Sequence, residues 1–179
     1  MQKDIFVVKR SGEREKFTPL KITRVLKWAC EGIDIDPKSI SDHFEFNYTA
    51  DGISTKNIHH SLIETCLDLI SVDTPDYQLV AGRLLNYSLR KSVWGGINPP
   101  RLIDLIKSNT KLGHYDKTLL EKYSVRDINK INEIIDHNRD LTFTHGGIKQ
   151  LIDKYLVQDR TSKEIYETPQ FAYVLVAMT

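Results

Sequence analysis

The sequence predicts a mainly helical protein with a small β-ribbon, and three observations support this fold class. Apolar residues recur at helical spacing along most of the 179-residue chain, for example over residues 22–29. Near the N-terminus, a β-branched run over residues 5–8 precedes a Ser11-Gly12 turn and a returning segment. Two further β-rich arms surround a polar turn within residues 155–167. We expect a helical bundle capped by a short β-ribbon or sheet, followed by a mostly helical domain with one β-hairpin.

Composition indicates an ordinary globular protein rather than one that binds nucleic acid or membrane. The chain is 40% hydrophobic and 27% charged, and 25 basic against 24 acidic residues give a net charge of +1. Nucleic-acid-binding domains usually carry a clear basic excess, which this composition lacks. The N-terminus has no apolar core of a signal peptide, and no apolar run approaches the length of a membrane span. We expect a cytoplasmic protein with no nucleic acid and no membrane as its partner.

The cysteines and histidines do not suggest a metal site. Cys30 and Cys66 each lie inside a helical pattern, and no CxxC pair or Cys/His cluster has the spacing of metal ligands. His59 and His60 are neighbours and would point to different sides of a helix. We predict two buried core thiols and no bound metal.

The first half of the chain contains start and stop signals for four helices. Thr18 and Pro19 supply a cap and a first turn, and Gly32 supplies an end. The segment around Phe44 also alternates like a strand, but we favour a helix that ends near Asn47. The predicted elements are a helix from Pro19 to about Glu31, a helix from Pro37, a short strand at Ile53-Ser54, a helix capped by Thr55, and a helix from Pro75 to Lys91.

A glycine- and proline-rich stretch, residues 94–100, is the clearest break in the chain. We place a domain boundary there, which gives domains 1–93 and 94–179. The second domain shows short amphipathic patterns and two residues placed as helix caps. The patterns include Leu102, Leu119, Ile128 and Ile148, and the caps are Ser124 and Thr144.

The last predicted helix is apolar on every side. Thr168 and Pro169 provide its start, and residues 171–178 follow without a polar face. Such a helix belongs inside a large protein, so we expect part of its surroundings to come from another chain. The alternative is that it packs into a groove of its own domain.

A candidate anion site lies where the N-terminal ribbon leads into the first helix. Lys9, Arg10 and Lys21 stand near the free N–H groups and the positive dipole end of that helix. Together these groups favour an anion, phosphate above all. A surface hairpin with solvated charges is the alternative.

Three more residues have two interpretations each. His59, one turn into the third helix, suits a phosphate or a sugar hydroxyl, or is a solvated surface histidine. Lys91 could reach the same anion, or it could simply complement the negative end of its helix. Trp28 shares a face with basic residues, so it could stack on a base or pack half-buried in the core.

Two sets of short stretches resemble a known family. The first set includes Val8-Lys9-Arg10-Ser11-Gly12, Lys21-Ile22, Asp51-Gly52-Ile53, Ile58-His59, Pro75-Asp76-Tyr77-Gln78 and Leu89-Arg90-Lys91. The second includes Gly113-His114-Tyr115-Asp116, residues 135–140 and residues 154–171. The first set resembles the ATP-cone, the regulatory nucleotide-binding domain at the N-terminus of the large subunit of class I ribonucleotide reductases. The second set resembles the continuation of that subunit, and together they cover essentially the whole chain.

The resemblance implies that the first domain binds ATP or dATP as an allosteric effector, with Mg²⁺ possible beside the nucleotide. The phosphates would be held by Lys9, Arg10 and Lys91, the base and ribose would be surrounded by Glu15, Phe17, Thr18 and Lys21, and the third helix would contribute Thr55 and His59. Ser88 stands where many members carry a histidine involved in dATP inhibition. Nucleotide binding is therefore expected, whereas inhibition by dATP is left open.

The resemblance also implies partners. The catalytic cysteines and carboxylate of these reductases lie in a barrel, and Cys30 and Cys66 match none of them. We expect no catalytic residue in this chain and a divided large subunit whose barrel is a separate chain. A small subunit with a diiron-tyrosyl radical would complete the hetero-oligomer, a ribonucleoside-diphosphate reductase that supplies deoxyribonucleotides for DNA replication.

Two other functions fit the same residues. One is a stand-alone ATP-cone regulator that senses nucleotides without an enzymatic role. The other is a degenerate cone that is kept for packing and binds a partner but no nucleotide. The sequence leaves open whether its end at Thr179 is a natural gene split or a truncation.

Overall fold

The structure, a computed structural model, describes residues 5–44 and 52–179. It is mainly helical with a three-stranded sheet, which confirms the predicted fold class. The chain divides into two units, residues 1–88 and 89–179, each with its own apolar core. The units meet in sequence within a helix, whereas the domain boundary that we placed at residue 94 stays a prediction.

The sheet of the first unit is built around its central strand. β1 (Phe6–Val8) pairs antiparallel with β2 (Arg14–Lys16), and the turn between them needs Gly12 because its φ is +83°. β3 (Ile53–Ser54) pairs parallel with β1 on the other side, so the strand order is β2-β1-β3. The short strand predicted at Ile53-Ser54 is confirmed.

Four helices pack around the core of the first unit. They are α1 (Pro19–Cys30), α2 (Pro37–His43), α3 (Thr55–Asp68) and α4 (Tyr77–Trp94), whose last residues belong to the second unit. Both cysteines lie in this core, as predicted, and burial raises the pKa of Cys30 to about 11 and that of Cys66 to about 12. The thiols are therefore protonated and unreactive at neutral pH.

Two predicted helix caps are corrected by the structure. Thr18 precedes α1 but makes no side-chain bond to it, and its hydroxyl instead lies 3.5 Å from the Lys16 carbonyl oxygen. The third helix is capped by Ser54, whose Oγ accepts the Asn57 N–H at 3.1 Å, while Thr55 is the first helical residue. Ser and Thr are both good caps, and the pairing of β3 decides which of the two neighbours precedes the helix.

The second helix is shorter than predicted. α2 ends at His43, and Phe44 has an extended conformation in which its ring packs against the apolar core. The expected continuation to Asn47 is therefore wrong at Phe44, where burial of an aromatic ring prevails over helical spacing. Residues 45–51, which include Asp51 of the resemblance, lie outside the described residues.

The second unit is built from short helices. They are α5 (Leu102–Lys111), α6 (Thr118–Lys122), α7 (Val125–Ile134), a 3₁₀ helix (His137–Thr142), α8 (His145–Lys154) and α9 (Pro169–Met178). The caps predicted at Ser124 and Thr144 are confirmed, because their hydroxyls accept the N–H groups of Asp127 and Gly147 at 3.2 Å. No helix in the described ranges is long and apolar enough to cross a membrane.

The predicted hairpin over residues 155–167 is reduced to a single bridge between Gln158 and Ile165. The two arms do meet, since the Asp159 N–H donates to the Glu164 carbonyl at 2.8 Å. However, the Val157 N–H donates to the Glu167 carboxylate at 2.9 Å, which diverts a backbone donor from a regular strand ladder. The Tyr166 N–H still donates to the Val157 carbonyl at 3.0 Å, so the predicted β-ladder is shortened at this end.

The last helix, α9, is partly enclosed by its own unit. Phe171, Leu175 and Met178 are buried in the core of this unit, whereas Tyr173 is 49% and Val176 is 76% exposed. The inner face therefore follows the alternative of a groove within its own domain. Cover of the outer face by another chain stays a prediction.

Candidate anion-binding site

The register of the sheet places two predicted site residues at the same end of two adjacent strands. Val8 pairs with Arg14 on one side and with Ser54 on the other. Lys9 and Thr55 directly follow these paired residues, and because β1 and β3 are parallel, both leave the sheet at the same end. The central strand thus presents Lys9 beside the start of α3.

A carboxylate links the two lysines of the site. Lys9 Nζ lies 2.8 Å from Glu15 Oε2 and 3.0 Å from Glu13 Oε2. Lys21 Nζ bonds the other oxygen of the same Glu15 carboxylate. Such exposed ion pairs are worth at most about 1 kcal/mol, so a multivalent anion can compete for both ammonium groups.

Arg10 is anchored to α4 rather than to the ribbon. Its guanidinium donates to the Ser88 carbonyl at 3.0 Å and to Ser88 Oγ at 2.7 Å. Although the residue as a whole is exposed, partial burial of the guanidinium lowers the pKa of Arg10, and Tyr87 acts in the opposite direction. Ser88, the position at which the resemblance led us to note a departure, is thus the hydrogen-bond partner of Arg10, which is predicted to hold a phosphate group.

His59 belongs to α3 and contacts α4 one turn before Ser88. Its Nε2 is 2.7 Å from the Leu84 carbonyl oxygen, and because a carbonyl can only accept, that nitrogen carries a proton. The His59 ring stacks on Tyr87 with centroids 5.3 Å apart, and the Trp28 and Tyr87 ring centroids are 5.5 Å apart. His59 is half-buried and held, so the alternative of a freely solvated histidine does not describe it.

Tyr87 is not among the site residues that were predicted from the sequence. The structure places it half-buried, in contact with Trp28 and His59 and near Arg10. Its position directly before Ser88, one turn before a basic helix end, is the signal that could have suggested it.

The remaining predicted residues are less clearly connected to this cluster. Phe17 and Thr18 join β2 to α1, where the Phe17 N–H donates to the Ile5 carbonyl at 2.9 Å. Lys91 lies in the last turn of α4, within the second unit, and its place in the site stays a prediction.

The described site therefore combines cationic side chains, which can bind an anion, with the neighbouring rings of Trp28, Tyr87 and His59. Lys9, Arg10 and Lys21 outnumber the carboxylates of Glu13 and Glu15, and each cation is held by a partner that an anion can displace. Within residues 5–44 and 52–179, no group of three or more His, Cys, Asp or Glu side chains is placed to hold a metal ion. A phosphate-bearing ligand with a stacking group fits this arrangement.

Comparison with known proteins shows which protein families this region and the rest of the chain are similar to. Residues 5–92 match the ATP cone domain family. The chain is 43% identical to ribonucleoside-diphosphate reductase 1 subunit alpha of Escherichia coli over 99% of its own length and 23% of that protein. It is 44% identical to the alpha subunit of Enterobacteria phage T4, over 97% of the chain and 23% of that protein. The Helicobacter pylori alpha subunit is 33% identical over 97% of the chain and 22% of that protein. The chain thus spans about a quarter of these relatives.

Proposed function

We propose a nucleotide-sensing function for this chain, which carries an ATP-cone domain and is homologous over its whole length to the N-terminal part of ribonucleoside-diphosphate reductase alpha subunits. In this proposal the first unit binds ATP or dATP, accompanied by Mg²⁺, in the cytoplasm. Binding regulates the reduction of ribonucleoside diphosphates to the deoxyribonucleotides needed for DNA replication.

The observation that supports the proposal most is the displaceable anchoring of Lys9, Arg10 and Lys21. A triphosphate can compete with Glu15 for the two lysines and with Ser88 for the arginine, because its bonds to these cations are also charge-assisted. The base and ribose then lie toward Glu15 and residues 17–18, while Thr55 and His59 close the site from α3 and Lys91 adds charge to the phosphates.

Unit-specific thermal unfolding tests nucleotide binding. Trp28 lies in the first unit and Trp94 in the second, so fluorescence of a Trp94→Phe variant reports on the first unit. We expect MgATP to raise the midpoint, because a ligand at about 100 times its Kd stabilises the folded state by roughly 2.7 kcal/mol. Lys9→Ala should remove most of the shift. Lys27→Ala, which deletes an exposed lysine in the last turn of α1, should keep it.

Two results would contradict this part of the proposal. The first is no shift at millimolar ATP or dATP. The second is an equal shift in Lys9→Ala and Lys27→Ala. The first result, combined with capture of a reductase partner, would indicate a degenerate cone that serves only for packing.

The second part of the proposal concerns assembly. We place no catalytic residue in this chain and assign catalysis to a separate barrel-bearing chain, with the diiron-tyrosyl radical in the small subunit. The outer face of α9, with Tyr173 and Val176, is the surface offered to the barrel chain. Catalysis then needs a hetero-oligomer.

A matched pair of variants tests this surface. Val176→Asp should abolish capture of the barrel chain and reductase activity of the captured complex, because it puts a charge into an apolar interface. Ile134→Asp is the control, since Ile134 is an 80% exposed aliphatic residue of the same unit on α7. Equal capture by both variants would rule out α9 as the contact.

A stand-alone nucleotide-sensing regulator is the second candidate function. It is favoured by the burial of Phe171, Leu175 and Met178 in the core of this chain itself. This candidate predicts a monomer that binds nucleotide, and reductase activity that is the same with and without the chain. Recovery of activity on mixing the chain with a barrel chain and a small subunit would exclude it.

A further inference from the structure

Four buried polar atoms of the second unit, on α4 and on the 3₁₀ helix, have no hydrogen-bond partner among the described residues. They are Nε of Arg90, Nε1 of Trp94, Nδ1 of His137 and Oδ2 of Asp140. Polar atoms in protein interiors are nearly always hydrogen-bonded, because an unpaired buried donor or acceptor loses its bonds to water and gains nothing in return. Four such atoms in one place therefore need a common explanation.

The local geometry of the two helices brings these atoms together. Arg90 and Trp94 are four residues apart on α4, so they lie on one face of that helix. His137 and Asp140 are three residues apart in the 3₁₀ helix, where side chains with this spacing lie above one another. The two faces meet, since Arg90 Nη2 lies 3.6 Å from Asp140 Oδ2 and donates to the His137 carbonyl at 2.5 Å. The rings of Trp94 and His137 both contact Phe171.

Asp140 Oδ2 lacks a direct donor in this arrangement. Its distance of 3.6 Å from Arg90 Nη2 is too long for a hydrogen bond, because N–H···O bonds measure about 2.7–3.2 Å. The other oxygen of the carboxylate, Oδ1, already accepts from Gln170 Nε2 at 3.1 Å. The Asp140 side chain is completely buried, so bulk solvent does not reach Oδ2 either.

The four atoms match the bonding capacity of one water molecule. Arg90 Nε and Trp94 Nε1 can only donate. Burial raises the pKa of Asp140 to about 6, so at neutral pH it is mostly a carboxylate that accepts. Burial lowers the pKa of His137 to about 4, so its ring is neutral and Nδ1 can accept while Nε2 carries the proton. The charges of Arg90 and Asp140 cancel, which suits an uncharged ligand in a buried site.

We propose that these four atoms form a binding site for one buried water molecule between residues 90–94 of α4 and the 3₁₀ helix. The water accepts hydrogen bonds from Arg90 Nε and Trp94 Nε1, and it donates to His137 Nδ1 and Asp140 Oδ2. Buried waters typically make about three bonds to polar groups that otherwise lack a partner. The site requires neither nucleotide nor a partner chain, so its failure is distinguishable from failure of the proposed function.

Magnetisation transfer from water to the Trp94 indole tests the site in the full chain. Isotope-labelled tryptophan gives one indole signal for each of Trp28 and Trp94, and Trp28→Phe identifies the second. We expect the Trp94 Nε1–H to show water cross-peaks of opposite sign in laboratory-frame and rotating-frame Overhauser spectra. This sign pattern distinguishes a long-lived neighbouring water from simple proton exchange.

A matched pair of double variants tests which groups hold the water. Arg90→Met/Asp140→Leu replaces both charges by apolar side chains, so neither charge is left buried without its partner. The water then keeps two of its four partners, and the Trp94 cross-peak should fall about fivefold or more. Lys149→Met/Asp153→Leu makes the same replacements at the exposed pair of α8 and should keep the cross-peak. Far-ultraviolet circular dichroism checks that helix content is kept.

A crystal structure of the unmutated chain is the second measurement, and it decides if the Arg90→Met/Asp140→Leu variant loses helix. We expect one ordered water within hydrogen-bond distance of at least three of the four atoms. A direct Arg90–Asp140 hydrogen bond with no water beside Trp94 would overturn the inference. So would absence of the water cross-peak at the Trp94 indole, or equal cross-peaks in the two folded double variants.

Discussion

An ion-pair cluster of the first unit and an ion pair of the second unit lie in opposite environments. In the first unit, Lys9 and Lys21 share Glu15 at the surface, where water and ions compete with the pairing. In the second unit, the side chains of Arg90 and Asp140 are 11% and 0% exposed. The comparison shows that exposed, shared pairs leave charge available to a ligand, whereas buried pairs commit it to the structure.

The largest expected difference concerns stability. Asp140→Ala leaves the Arg90 cation buried without its counter-charge, and we expect a loss of about 3–5 kcal/mol from the second unit. Urea unfolding followed by Trp94 fluorescence in a Trp28→Phe background measures it. Asp153→Ala breaks the exposed Lys149–Asp153 pair of α8 and should cost less than about 1 kcal/mol. Similar losses in the two variants would remove the distinction between buried and exposed pairs.

The pH dependence of the second unit should contain two opposing contributions. Burial raises the pKa of Asp140 to about 6 from 3.8, with Arg90 and Gln170 facing it, so this group destabilises the fold as pH rises from about 4 to 6. Burial lowers the pKa of His137 to about 4 from 6.5, with Arg90 opposing and Asp136 favouring its charge. This group destabilises the fold as pH falls through the same range.

Removing one group should reveal the slope of the other. His137→Gln keeps the backbone carbonyl that Arg90 bonds, and relative to wild type its Trp94-monitored stability should fall as pH rises from about 4 to 6. Asp140→Asn should show the reverse slope relative to wild type. Unchanged slopes in both variants would mean that these groups do not titrate differently in the folded and unfolded states.

In the first unit, loss of a charge should alter binding more than stability. Glu15→Gln frees Lys9 and Lys21 from a competing carboxylate, so calorimetry should show inorganic tripolyphosphate binding several-fold more tightly. The change in unfolding free energy should stay within about 1 kcal/mol. Glu121→Gln removes the same charge from an exposed carboxylate of α6 in the second unit and should leave both quantities unchanged. Weaker tripolyphosphate binding in Glu15→Gln would contradict the site as described.

The smallest effects concern two turns with positive φ. Gly12 in the first unit has φ +83°, and Lys163 in the second has φ +61°. Gly12→Ala should cost roughly 1 kcal/mol, since a side chain is disfavoured at that backbone angle. Lys163→Gly should gain less than about 1 kcal/mol, because relief of strain is offset by the extra freedom of glycine in the unfolded chain. Thermal unfolding, followed by Trp28 fluorescence for the first unit and by Trp94 fluorescence for the second, measures both changes in stability. A destabilised Lys163→Gly would contradict the expectation.

Local signals made much of the fold predictable. Pro19, Ser124 and Thr144 mark helix starts through chemistry that involves only the next few residues, and the structure confirms all three. The errors arose where distant parts of the chain decide. Ser54 rather than Thr55 caps α3 because β3 pairs with β1, and Phe44 leaves the helical pattern to reach the core.

In the candidate site, too, local contacts were predictable from the sequence and long-range contacts were not. A hairpin brings Lys9 close to Glu13 and Glu15, so that part of the cluster follows from the turn predicted at Ser11-Gly12. The bonds from Arg10 to Ser88 and from His59 to Leu84 join residues far apart in the sequence. Spacing carries no information about such pairs, which explains why Tyr87 is missing from the residues predicted for the site.

Calorimetric titration of the chain with MgATP measures nucleotide binding without any partner chain. We expect saturable binding to wild type and to Lys27→Ala, and its loss in the double variant Lys9→Ala/Arg10→Ala. Absence of binding to wild type, or equal affinity in the double variant and Lys27→Ala, would contradict it.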